Sequence, residues 1–421
     1  MSSAAAAVED SIQELREVNR LVYLKPDNGA LVDKRTMKSY NFSSASFAAG
    51  RSAQCLINSG GDAIWGPTSY LRMEYTKADG ASTVGSGSVL NFIRSVRLTH
   101  RSGEVLEFID NYNVLGKLLL AYAQDGDDAA KMADMLQVPL AAGTYVATIP
   151  MWILLGVFAE QSQYIPPGFL AGARLDVLLE NDSIIWAAPA LGDALTDVNL
   201  SLVLDSSQVY DSVTKQIMDE QADVARSGLQ FSYSTWFNTH SPFGTASVNF
   251  DVQQSASITQ MVTAVIRPQA NLVLNADSFA FRQTASKVQW RLGSQYFPQQ
   301  ALELANGQQE AYYTTLVAWD GAPMQFAGKR ASGKGADVKF AQWSTAAAAP
   351  PVPFNGLVLN ANYAQTMEKS STGLQLTGEA TNNARILNLE MTKTAVADRV
   401  DVFLKSLRVA NIMGDNVVVD R

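Results

Sequence analysis

A chain of 421 residues is too long for one ordinary core and suits two domains of roughly 200 residues each. Hydrophobic residues make up 47% and charged residues 17%, which excludes a disordered chain and leaves much of the surface neutral or covered by partners. A net charge of −8 argues against a protein whose main task is gripping nucleic acid phosphates, although a local basic patch is still allowed.

The opening MSSAAAAVEDSIQEL lacks the basic region and apolar core of a signal peptide. Within SIQELREVNRLVYL, Ile12, Leu15, Val18 and Val22 fall at helical spacing, and Ser11 with Glu14 would form a capping box. This predicts a helical arm over residues 1–27, packed on its own domain or docked on a neighbouring molecule. The mixed charges weaken a membrane-surface role. Pro26, Asn28 and Gly29 end the helix, and β signals dominate from there.

YLRMEYTK alternates around Leu71, Met73 and Tyr75, and SVLNFIRSVRLTHRSGEVLEFI reads as two strands joined by a turn at Ser102-Gly103. NYNVLGKLLLAYAQDGDDAAKMADMLQ, from Asn111 to Gln137, is helical in pattern and predicts helices inserted between strands. TYVATIPMWILLG returns to strand character. The apolar window there contains Pro150, is closed by Glu160 and is too short to cross a bilayer, so a soluble protein is expected. After Pro166-Pro167-Gly168 come the strands FLAGARLDVLLEN and LTDVNLSLVLDSSQVY.

Residues from Asp211 to Ser227 read as a helical connector, after which the β pattern restarts. GLQFSYSTWFNTHS, ASITQMVTAVIRPQANL, KVQWRLGSQYF and AYYTTLVAWDG are candidate strands, and STAAAAPPVPFNG is a loop. GLVLNANYAQ, TGLQLTGEA, ARILNLEMTKT and RVDVFLKSLRVANIM close the chain. Two successive sets of short strands predict tandem antiparallel sandwiches, 28–212 and 213–421 with the connector in the second. ARLDVLLE (Ala173–Glu180) and ARILNLEM (Ala384–Met391) agree at three of eight positions. Each precedes an alternating run near the end of its half, so they are expected on the same strand of a duplicated domain, with Arg174 matching Arg385.

Few residues carry chemistry. The lone Cys55 allows no intrachain disulfide and no cysteine cluster for zinc, which fits assembly in a reducing compartment. The two histidines, His100 and His240, lie in different halves without metal-ligand spacing or a triad motif. GKRASGKG, Gly328 to Gly335, nearly spells a phosphate loop. Gly335 replaces the hydroxyl residue after Lys334, and the following ADVKFAQW alternates like a strand, so a basic hairpin tip without nucleotide is expected. The acidic DGDD, Asp125 to Asp128, lacks the terminal glutamate of a calcium loop and is explained by capping of the next helix. Trp65, Trp236, Trp290 and Trp319 are scattered among strands and read as core. The expectation is no catalytic residue, no cofactor and no metal.

IPMWILLGVFAEQSQYIPPGFLAGARLDVLLE, Ile149 to Glu180, resembles the end of the first domain of double jelly-roll, hexon-like major capsid proteins of icosahedral DNA viruses. Pro150, Pro166 or Pro167, and Arg174 to Leu179 carry the likeness. VQWRLGSQYFPQQ (Val288–Gln300) and the closing NNARILNLEMTKTAVADRVDVFLKSLRVANIMGDNVVV are similar to the second domain, so the likeness runs from about Asn41 onward. It implies two eight-stranded jelly rolls side by side, a homotrimeric pseudo-hexagonal capsomer and a place in the virion after assembly inside the host cell. Implied partners are itself, neighbouring capsomers, penton and minor capsid proteins, and an internal membrane or the genome; no small-molecule substrate is implied. In that setting the Asn111–Gln137 helices and the Gly321–Phe354 loop would be trimer-contact or outer-surface elements. Two other classes remain open from the residues alone: a carbohydrate-binding or adhesive β-sandwich, and a hydrolase using His100 or His240.

Overall fold

Alternation decides where the strands form. In β2 (Ser52–Ile57) every second residue is buried, and in β7 (Ala173–Leu179) Ala173, Leu175, Val177 and Leu179 all face inward while Arg174 is exposed. The computed structural model describes residues 32–78, 88–122, 132, 135–139, 141–159, 164–186, 194–209, 229–252, 258–268, 285–292, 294–303, 310, 358–362, 374–375, 387–393, 395, 397–413 and 416–419.

The first half contributes β1 (Val32–Asn41), β2, β3 (Ala63–Lys77), β4 (Ile93–Thr99), β5 (Val105–Ile109), β6 (Gly143–Pro150), β7 and β8 (Leu195–Val209). They form two antiparallel sheets of order β1-β8-β3-β6 and β2-β7-β4-β5. Strand pairs 1·8, 2·7, 3·6 and 4·5 are the wiring of a jelly roll, in which a long hairpin is rolled over so that its two arms alternate between facing sheets. Leu71, Met73, Leu98, Leu175, Val177, Leu200 and Leu202 fill the space between the sheets. Lys77 enters the same core, its Nζ 3.3 Å from the Pro139 carbonyl and 5.5 Å from the Trp186 ring centre.

The second half contributes β9 (Leu229–Phe243), β10 (Ser247–Val252), β11 (Ile258–Pro268), β12 (Ala285–Leu292), β13 (Gln295–Glu303), β14 (Val358–Asn362), β15 (Leu374–Gln375), β16 (Leu387–Lys393), β17 (Asp398–Met413) and β18 (Asn416–Val419). One sheet runs β10-β16-β12-β13. In the other, β17 lies between β9 and β11, β14 continues from β11, and β15 and β18 add short pairings. Replacing β1 to β8 by β9 to β14, β16 and β17 reproduces the first wiring strand for strand. The chain is therefore a tandem of two jelly rolls.

The described parts of the two stretches, Ala173–Leu179 and Leu387–Met391, accordingly lie in equivalent strands, β7 and β16, each followed by its half's closing strand, β8 or β17. The ungapped pairing of the two stretches is out of step by an odd number of residues. It matches Leu178 with Leu389, yet Leu389 lies in the core while Leu178 stands beside Asp176 on the outward-facing side. With a side-chain period of two, that offset exchanges the faces. Arg385 lies outside the described residues.

Three local expectations are corrected. The strand after Thr144 stops at Pro150, and Met151–Leu154 forms a helical turn, α2, with Met151, Ile153 and Leu154 buried. Val89–Phe92 is a 3-10 turn rather than the start of β4; Ser88 caps it by accepting the Leu90 N–H at 3.2 Å. KVQWRLGSQYF is a hairpin rather than one strand, since β12 ends at Leu292 and β13 begins at Gln295. The Ser102-Gly103 turn stands as expected, with Gly103 at φ 91. Of the predicted insertion, the helix α1 (Tyr112–Tyr122) is described. It buries Val114, Leu115 and Leu118, and the Tyr112 hydroxyl donates to the Ile153 carbonyl at 2.8 Å. A further short helix, α3 (Asp182–Ile185), follows β7. The 1–27 arm, the Asp211–Ser227 connector, AYYTTLVAWDG, Asp125–Asp128, Trp319, the Gly328–Gly335 loop and STAAAAPPVPFNG lie outside the described residues. No helix among the described residues is long and apolar enough to cross a membrane.

Candidate functional site at the junction of the two jelly rolls

Strand β9 forms one edge of its sheet, and this edge is where the second jelly roll meets the first. The contact is built from backbone as much as from side chains. Gly156, in the 3-10 turn Gly156–Phe158, lies so close to Ser234 that a Cβ would fall on the Ser234 carbonyl oxygen. Only glycine lets the two main chains approach this far.

Beside this contact Glu107 of β5 is fully buried. Its Oε1 accepts the Gly156 N–H at 3.0 Å and the Thr235 hydroxyl at 2.7 Å, and its Oε2 accepts the Val157 N–H at 3.3 Å. Burial pushes its pKa up, opposed by the hydrogen bonds from Thr235, Gly156 and Val157 and by the charge of Arg408. Around it, the Tyr233 hydroxyl donates to the Leu106 carbonyl at 2.7 Å, and Arg408 Nη1 donates to the carbonyls of Leu106 and Val105 at 3.1 and 3.3 Å. Burial also drives the Tyr112 and Tyr233 hydroxyls upward, with the nearby Glu107 adding to it.

A second cluster lies at the end of β5. Asn111 adopts the left-handed conformation, φ 49, that asparagine tolerates better than other non-glycine residues. Its Nδ2 donates to Asn238 Oδ1 at 2.9 Å, and its Oδ1 accepts from Arg399 Nη2 at 2.8 Å. Arg399 also binds Asp401 at 3.0 Å through Nε. Phe169 and Phe231, 5.5 Å apart, add an aromatic contact between the halves.

This site joins the two halves. Glu107 presents no surface to solvent, so no substrate reaches its oxygens, and every partner named is a donor that holds it in place. The histidines fit the same picture. His100 is a buried turn residue whose Nδ1 accepts the Ser102 N–H at 3.1 Å and lies 2.8 Å from the Ser102 hydroxyl. His240 stands on β9, its Nδ1 3.4 Å from both Asn111 Nδ2 and Asn238 Oδ1. They are not brought together. Burial holds the Cys55 thiol up at about 12. Among the described residues no group of three or more His, Cys, Asp or Glu side chains is arranged for a metal. Trp290 is buried in the core, and Trp236 nearly so, while Trp65 packs on Tyr164 at 4.8 Å.

Sequence reasoning missed Glu107, Asn111, Gly156, Thr235, Arg399 and Arg408. One signal was present: Glu107 is an acidic residue inside the apolar run VLEFI, where an ordinary core strand would carry none.

No family model and no curated protein matches this sequence. Solved structures do. The VP54 protein of PBCV-1, fitted into a cryo-EM reconstruction of the virophage Sputnik, shares 11% identity, with 95% of this chain and 99% of that chain covered at a TM-score of 0.64. The Faustovirus major capsid protein matches at 9% identity, 92% of each chain and a TM-score of 0.54. The mavirus major capsid protein matches at 12% identity, 94% of this chain, 93% of that chain and a TM-score of 0.52. Strand wiring, its repetition along the chain and near full-length likeness agree: the chain has the fold of the double jelly-roll major capsid proteins of DNA viruses.

Proposed function

We propose that the chain is a structural, non-catalytic major capsid protein that forms homotrimeric, pseudo-hexagonal capsomers of an icosahedral viral shell. The observation that carries this reading is the repeated wiring joined by a buried polar seam. Two like jelly rolls held as one body give each subunit two similar corners, and three subunits give six near-equivalent edges for a lattice. The protein then resides in the virion after assembly inside the host cell. Its partners are further copies, neighbouring capsomers, penton and minor capsid proteins, and an internal membrane or the genome. Residues 28–212 and 213–421 form the two domains. The 1–27 arm serves assembly, so its deletion leaves the melting temperature of the trimer nearly unchanged and impairs particle formation.

Native mass measurement and electron microscopy of the purified protein test the proposal. Three times the chain mass and pseudo-hexagonal particles are expected; a stable monomer at micromolar concentration would count decisively against it. A second reading, a carbohydrate-binding sandwich, draws on a groove of about 340 Å³ over β10, β16 and β12, edged by Asn249, Gln289, Glu390 and Lys287. A monomer that retains glycans on an array would favour that reading.

A further inference from the structure

The two outer faces of the first jelly roll differ in how their charges are used. On and around the β1-β8-β3-β6 sheet, Arg35 pairs with Asp205, Lys38 with Asp62 and Arg72 with Glu74. The β2-β7-β4-β5 sheet is different. Register puts Gln54, Asp176, Arg97 and Phe108 in one row across its outer face, and Leu56 and Arg174, beside the buried Thr99, in the next. Arg174 is satisfied by Asp176 at 3.0 Å. Arg97, and Arg94 at the irregularity between Ile93 and Ser95, are exposed and make no ion pair among the described residues. Flanking them, Leu56 is 65% and Phe108 44% exposed.

We propose that this face is a docking surface for a second copy of the chain, whose carboxylates would meet Arg94 and Arg97 while its apolar side chains cover Leu56 and Phe108. The inference rests on the capsid reading and names one surface through which copies meet. Arginine and aromatic residues are the types enriched at protein interfaces, and here the two arginines lie between apolar side chains exposed on the sheet's two edge strands, Leu56 on β2 and Phe108 on β5. The occupant follows from charge. A face with unpaired arginines attracts an acidic surface, and this chain carries a net −8, so another copy supplies the complement. The contact pairs this face with a different surface of the neighbour, the head-to-tail arrangement that closes rings.

The test uses the full-length chain, wild type against Arg94→Glu/Arg97→Glu, with Arg94→Gln/Arg97→Gln as a milder second variant. Oligomeric state is read by native mass and sedimentation at about 50 mM and about 500 mM salt, which shortens the screening length several-fold. Self-association of the wild type weakened at least tenfold by the charge reversal, less by the glutamine pair, with unchanged melting temperature, is the expected result. Variants that associate as the wild type does would overturn the docking surface and leave the capsid reading standing. A wild type that never associates defeats the capsid reading itself, and the docking surface with it. Normal association of the variants with lost binding to single-stranded DNA or to phosphatidylserine vesicles would assign the face to a polyanion and overturn the proposal.

Discussion

Thr235 of the second jelly roll donates its hydroxyl to Glu107 Oε1 of the first at 2.7 Å, with both side chains buried. Thr235→Val keeps the shape and deletes the donor. It is expected to cost about 1.5–3 kcal/mol, the range for a hydrogen bond to a charged or desolvated group. Urea unfolding should show this as a lower midpoint, with the two halves beginning to melt apart. An unchanged midpoint would mean that the bond contributes nothing to the seam.

Glu107 also gives stability a pH dependence of identifiable sign. Its folded pKa lies above the ordinary 4.5 because burial penalises the anion. The folded state therefore holds a proton that the unfolded state releases. The contribution is fully present below about pH 4.5 and is lost as pH rises through the raised value. Glu107→Gln should flatten this part of a stability-versus-pH curve. A slope that survives in the variant would assign it to another group.

Asp205 should act in the opposite direction. The hydrogen bond from Arg35 holds its carboxyl below the usual 3.8, with Thr68 and the Arg35 charge adding to it against a burial penalty. Its contribution is present above the unfolded value near 3.8 and is lost as pH falls through the lowered one. Asp205→Asn should remove that acid limb and reduce stability at neutral pH. An acid midpoint identical to that of the wild type would refute the assignment.

Gly156→Ala should be among the most damaging single-methyl additions in the chain. Its Cβ meets a main-chain carbonyl, Ser234, which cannot swing away as a side chain can. Overpacking of this kind costs about 1–3 kcal/mol. Calorimetry should show one transition splitting into two as the seam loosens. A single transition at the wild-type temperature would show that the strands can part without penalty.

Lys393 and Asp398 form an ion pair at 3.1 Å across the β16–β17 turn, with both side chains wholly buried. Asp398→Ala removes one half of a buried ion pair and should cost about 3–5 kcal/mol, whereas replacing both partners by apolar residues should recover most of the loss. Chemical denaturation of the single and double variants distinguishes the two cases. Equal losses in both would show that the damage comes from packing rather than charge.

The repeated architecture was legible in the sequence because it rests on alternation, which burial of one sheet face imposes on strands such as β2, β3 and β7. The finer reading failed where two signals look alike. Met151–Leu154 is apolar throughout, and an apolar run has no period that separates a buried helical turn from a strand. The likeness of ARLDVLLE and ARILNLEM identified the right pair of strands through their order along the chain, while the matched Leu178 and Leu389 face opposite sides of their sheets. The seam was largely invisible. Glu107, Gly156 and Thr235 lie far apart in sequence, and it is their meeting, not their identity, that makes the joint.

In each half the last long strand sits between the first and the third: β8 lies between β1 and β3, and β17 between β9 and β11. Neither sheet can close from its early strands alone. As the chain emerges from the ribosome, the first jelly roll can finish once Val209 is free, before most of the second has been made. The second waits for residues up to Met413, and until then β9 and β11 present facing edges with nothing between them. Open edges of this kind recruit strands from other chains. A message truncated before Asp398 should therefore yield a folded first half attached to an aggregating second.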